Sequence, residues 1–172
     1  MIPVVLSNIW RFVLLVALQV LILNNVQVSG FLNPYLYVLF LLLLPFEVPR
    51  TWLLALAFLL GLTVDVFTNT LGMHLAASLF MAYCRPFVLS IIAPRGGYEV
   101  GTGPSIRDMG LPWFLSYAGA LVLLHHLVLF FVEVFRFTEV FLTLGRVLAS
   151  SVFTLLLVLL AQYLTYRPRL SE

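Results

Sequence analysis

Long apolar runs alternate with short polar breaks along the whole chain, and six runs can be marked: residues 9–23, 31–46, 51–67, 74–93, 112–135 and 140–163. About 20 apolar residues make an α-helix long enough to cross the ~30 Å hydrocarbon core of a bilayer. The pattern therefore predicts an all-α protein, a six-transmembrane-helix bundle forming a single integral membrane domain over residues 1–172. Gln19 is a polar group inside the first run, which closes at Asn24 and Asn25. The second run is interrupted by Pro34 and Pro45, so a tilted, bent or partly re-entrant element is expected there. No charged n-region precedes the first run, Arg11 falls inside it and no small-x-small site closes it; it reads as a retained span rather than a signal peptide.

The breaks set the expected orientation. Glu47 and Arg50 mark the turn before the third run, with Trp52 as an interfacial aromatic. Cys84, Arg85 and Pro86 are expected to close the fourth run toward one face. Residues 94–111 form the long loop, and the four glycines before Pro104 predict a flexible, solvated linker or a cytoplasmic docking loop. With the N-terminus inside, Arg11, Arg50, Arg85, Arg95, Arg107, Arg167 and Arg169 fall at the cytoplasmic face, Arg136 falls in an outer loop, and Arg146 lies a little way down the last run. That asymmetry predicts cytoplasmic N- and C-termini, and it places Asp65 near the outer end of the third helix.

Composition narrows the class. A chain that is 63% hydrophobic and 9% charged is not an ordinary water-soluble domain. Nine arginines, no lysine and seven acids leave a formal charge of +2, too sparse and scattered for a nucleic-acid surface. The single cysteine, Cys84, excludes an internal disulfide, and without CxxC or a Cys/His cluster no zinc site or cofactor is expected. Gly101-Thr102-Gly103 lacks the GK[ST] ending of a phosphate loop. No Ser-His-Asp or Cys-His arrangement falls into register, so no enzyme is predicted.

Asp65 stands out, because an Asp at the centre of a membrane helix costs roughly 2.5–3.5 kcal/mol on insertion scales. An ionisable group in such a place calls for a named partner, and two are within reach: His74 across the short turn, and Arg146 near the start of the sixth run. Ala57, Gly61, Asp65 and Thr68 recur at helical spacing and form one small and polar stripe. Such a stripe lets another backbone approach closely, either a neighbouring helix of the same bundle or a partner's transmembrane helix. Gly145 and Ala149 repeat the spacing beside Arg146. His125, His126 and Glu133 lie within the fifth run as interior polar groups; adjacent histidines point about 100° apart and no HExxH is present, so a polar contact is expected rather than metal ligation.

Residues 61–83, GLTVDVFTNTLGMHLAASLFMAY, resemble the rod shape-determining protein MreD family. That family carries a Gly-Leu-x-x-Asp helix end, a short turn and a Leu-Gly-x-His start to the next helix; here these fall on Gly61, Leu62, Asp65, Leu71, Gly72 and His74. The glycine-rich loop is longer than expected for a compact member. The resemblance implies a non-enzymatic scaffold of the cell-elongation complex in the bacterial cytoplasmic membrane. Its implied partners are MreC, a RodA-type glycosyltransferase with a class B penicillin-binding protein, and MreB. It also implies a fold similar to the substrate-binding subunits of energy-coupling-factor transporters, which supplies a rival expectation of small-molecule capture by Asp65, Glu133 and Arg136. An intramembrane hydrolase or lipid-modifying enzyme using Asp65 with a histidine is a third expectation.

Overall fold

A computed structural model describes residues 2–25, 32–135 and 139–165. Arg136, Arg167 and Arg169, part of the orientation reading, lie outside the described residues, as does the start of the second apolar run. The long helices are α1 (Ile2–Leu21), α3 (Arg50–Thr68), α4 (Met73–Ile91), α6 (Leu111–Val134) and α7 (Val140–Leu164). Two short ones are α2 (Leu39–Leu42), which continues a 3₁₀ turn over Leu36–Val38, and α5 (Ile106–Met109). Among the described residues, five helices are long and apolar enough to cross a membrane. The described chain is thus a polytopic helical bundle of membrane-protein character.

The second apolar run differs from the expected span. Its helical part is confined to Leu36–Val38 and Leu39–Leu42, between two prolines that lack a backbone donor and that disfavour helix in the residue before them. Tyr37, Val38, Leu41 and Leu42 are all 0% exposed. The segment packs against α1, α3 and α7. Its start touches Gln19 and His74, and its end touches Arg85 and Tyr117. It is an interrupted strand of backbone running through the middle of the bundle, shielded by the long helices.

Around it, α3 packs on α4, α4 on α6, and α6 on α7, while α1 lies against the segment and α3. The α3–α4 link is tight: Asn69 ends α3 in the left-handed region at φ 54°, and Gly72 opens α4 at φ 81°. Two expectations are corrected here. The fourth helix continues to Ile91 with Pro86 inside it, as the 74–93 run predicts, but Arg85 is 2% exposed rather than lying at a face. The long loop is a solvated linker only in part: residues 94–97 and 99–101 are exposed, and most of the rest packs on the bundle. Tyr98 stacks on Phe46 (4.2 Å between centroids) and donates to the Leu89 carbonyl at 2.7 Å, while Pro104 and Ile106 are buried.

Candidate functional site: a polar core around an interrupted segment

Backbone that leaves helical geometry at membrane depth must find hydrogen-bond partners inside the protein, because the hydrocarbon offers none. The polar side chains buried in the apolar helices supply them. From α1, Gln19 donates to the Pro34 carbonyl at 3.0 Å and accepts from the Tyr37 amide at 3.4 Å. From α7, Ser150 accepts from the Asn33 amide (3.2 Å) and Thr154 from the Tyr35 amide (3.1 Å). At the other end of the segment, Arg85 of α4 donates to the Leu44 carbonyl, and to that of Pro45 at 3.4 Å. Arg85 Nε also donates to the Tyr117 hydroxyl (2.7 Å), which in turn donates to the Leu42 carbonyl at 3.0 Å. Every long helix except α3 thus contributes a polar group to, or beside, one stretch of backbone.

The Tyr37 hydroxyl sits at the centre, 3.1 Å from His74 Nδ1 and 2.7 Å from His125 Nε2, so that one ring nitrogen accepts from it and the other donates to it. His125 Nδ1 has no partner among the described residues. His126 faces the other way. Its Nδ1 lies 2.8 Å from the Val122 carbonyl, which only accepts, so the proton is on Nδ1 and Nε2 accepts from Thr154 at 3.1 Å. Both histidines are 0% exposed, inside the bundle and apart in direction, as adjacent helix positions require. No group of three or more potential metal ligands comes together among the described residues.

Of the two partners expected for Asp65, His74 is met through its backbone amide and Arg146 is not met. Its Oδ1 accepts from the His74 amide (3.1 Å) and the Thr70 hydroxyl (2.5 Å), and its Oδ2 accepts from the Leu75 amide (2.9 Å). The carboxylate caps the first turn of α4 from the end of α3. It satisfies amides that the helix itself leaves open and places negative charge at the positive end of the helix dipole. His74 therefore meets Asp65 through its backbone, leaving the imidazole for Tyr37. Arg146 goes elsewhere: Nη1 pairs with Glu133 Oε1 at 3.0 Å, and the guanidinium lies 4.4 Å from the Phe130 ring centroid. With its amide oriented to suit both neighbours, Asn33 accepts from Arg146 Nη2 at 2.6 Å.

The stripe is occupied by this chain. Ala57 is fully buried and Gly61 is buried against α4, where an added Cβ would come within 2.8 Å of the His74 carbonyl and the Leu75 amide nitrogen. Thr68 turns its hydroxyl back to the Val64 carbonyl at 2.8 Å. The neighbour admitted by the small residues is α4, which leaves the Ala57–Gly61 stripe no free face for a second protein. Beside the α3–α4 turn a cavity of about 360 Å³ opens, lined among others by Asn24, Asn25, Asn33, Tyr35, Thr70 and His74.

Sequence reasoning missed Gln19, Tyr37, Arg85, Tyr117, Ser150 and Thr154 as a group. The available signal was the pair of prolines in a buried run, which forecasts backbone groups in need of partners, together with polar side chains inside otherwise apolar helices. Comparison of the chain with family models, curated proteins and solved structures finds no match. The class that the fold and polar core define is a polytopic helical membrane protein built around a buried, interrupted segment.

Proposed function

We propose that this chain is a non-enzymatic scaffold of the bacterial cytoplasmic membrane of the MreD kind, binding an MreC-like single-span protein. Through it the chain would help to organise a RodA-type glycosyltransferase, a class B penicillin-binding protein and, indirectly, the MreB cytoskeleton in cell-wall elongation. The observation that carries this reading is the use of the motif itself. Gly61 admits the α4 backbone, Asp65 caps α4, Gly72 takes the left-handed turn position and His74 anchors the buried segment. These four motif residues are committed to joining elements of the bundle, whereas Leu62 and Leu71 are exposed, and that use suits a rigid docking body better than a reaction centre.

In this reading the buried segment is the sixth crossing and both termini are cytoplasmic. Support comes from Arg50 at the start of α3, and from Arg95 and Arg107 beyond α4, at the end of the bundle opposite the α3–α4 turn. The partner helix packs on the lipid-facing perimeter, since α4 fills the Ala57–Gly61 stripe. Affinity capture of the tagged chain from its host in mild detergent, followed by mass spectrometry, tests the proposal. Recovery of a single-span protein with a large extracytoplasmic domain, together with wall-synthesis enzymes, is expected. Recovery of an ATPase and a coupling subunit would replace it with a second reading, solute capture, which the cavity beside His74 favours.

A further inference from the structure

We propose that the seam between α1 and α7 is a binding site for an anionic phospholipid, its phosphate held by Arg11 and Arg107 and an acyl chain laid along leucines of α1 and the buried segment. The proposal does not depend on the scaffold reading. Because α7 packs on α6 and α1 packs on the segment and α3, the two helices leave between them a cavity of about 660 Å³. Leu14, Leu15 and Leu18 line it from α1, and Leu39 and Leu43 line it from the segment. Its other end is polar, with Arg11, Arg107, Ser7, Ser105 and Thr165 at the margin. Trp10, 67% exposed beside Arg11, is the residue type that settles at a headgroup boundary.

Charge decides the occupant. Arg11 lies within a membrane-length helix, where a guanidinium is expensive unless paired. Its hydrogen bond is to the neutral Asn8 Oδ1 at 2.9 Å, and the ion pair found among the described residues joins Arg146 to Glu133 instead. Asp108 also lines the margin, but its Oδ2 already accepts from the Gly103 amide and the Ser105 hydroxyl, both at 3.1 Å. Arg11 and Arg107 thus both line the seam, where Asp108, the carboxylate among the described lining residues, is already engaged. The planar fork of arginine matches phosphate oxygens in pairs. A headgroup without an ammonium leaves no repelling cation against the pair, and a leucine-lined trough takes the chain attached to it.

The test uses the full chain in mild detergent and native mass spectrometry after adding phosphatidylglycerol or phosphatidylcholine at equal concentration. Phosphatidylglycerol adducts should exceed phosphatidylcholine adducts by about tenfold, equivalent to about 1.4 kcal/mol. The double variant Arg11→Gln/Arg107→Gln should abolish that preference, whereas Arg95→Gln, a loop arginine outside the seam, should preserve it. Leu14→Trp, at a position already 43% exposed, keeps both arginines and fills the trough, and should reduce adducts of both lipids. Equal retention of the two lipids by the native chain would overturn the proposal. So would undiminished phosphatidylglycerol retention by a double variant that elutes as the native protein does, or by Leu14→Trp. Loss of a co-purifying membrane-protein helix with lipid retention unchanged would reassign the seam to that partner.

Discussion

The carboxylate of Asp65 lies 2.9 Å from the backbone nitrogen of Leu75, on the far side of the turn joining α3 to α4. An acid that is costly in an apolar helix is thereby converted into the cap of the next one. Asp65→Ala removes the acceptor for two helix amides and the Thr70 hydroxyl, and should lower stability by about 1–2 kcal/mol or more. Asp65→Asn keeps one acceptor oxygen and should fall between. Thermal unfolding in detergent reads this order, and an Ala variant as stable as the native chain would remove the cap from the account.

Gly61 and Gly119 should respond in opposite ways to the same change. A Cβ at Gly61 meets α4 backbone at 2.8 Å, and backbone cannot step aside as a flexible side chain can. Gly61→Ala should separate α3 from α4 at a cost of about 1–3 kcal/mol. At Gly119 the nearest atom is Leu155 Cδ1 at 4.0 Å, so Gly119→Ala should be tolerated. Equal unfolding temperatures for the two variants would contradict the close approach.

Arg85 holds the carbonyls that the broken segment leaves open. Arg85→Leu buries the Leu44 and Pro45 carbonyls without a charged donor and removes the donor to the Tyr117 hydroxyl, which keeps the Leu42 carbonyl. A loss of about 3 kcal/mol or more is expected, seen as poor yield and aggregation on size exclusion. Arg85→Lys keeps the charge without the fork, and should recover part of the loss. A fully stable Leu variant would mean that the segment does not depend on this donor.

Tyr37→Phe keeps the ring and deletes the hydroxyl between His74 and His125. Both imidazoles then lose a buried partner, at a cost of about 1–3 kcal/mol. Under the scaffold reading, partner recovery should track the folded fraction and return at lower temperature. Partner loss at full folded fraction would give the hydroxyl a direct role in binding.

The sequence by itself determined the solvent of this protein and the places where its helices break. Hydropathy and length mark six apolar runs, five of which are long helices among the described residues, because a bilayer selects apolar residues irrespective of what each helix packs against. Pro34 and Pro45 likewise announce an interruption through covalent geometry alone. Tertiary structure decided where the polar groups go. From spacing, Asp65 reached toward both His74 and Arg146. The observed outcome, backbone amides of α4 for the acid and Glu133 for the arginine, depends on how far apart α3, α4, α6 and α7 sit and how each is rotated. The same holds for Arg85, which reads as a helix-end arginine along the chain and lies in the core. Its partners are carbonyls some forty residues earlier, exposed as acceptors only because the segment between the prolines cannot complete a helix. Apolar content is a property of each residue in its solvent, whereas a hydrogen-bond partner is a property of two surfaces brought together by packing.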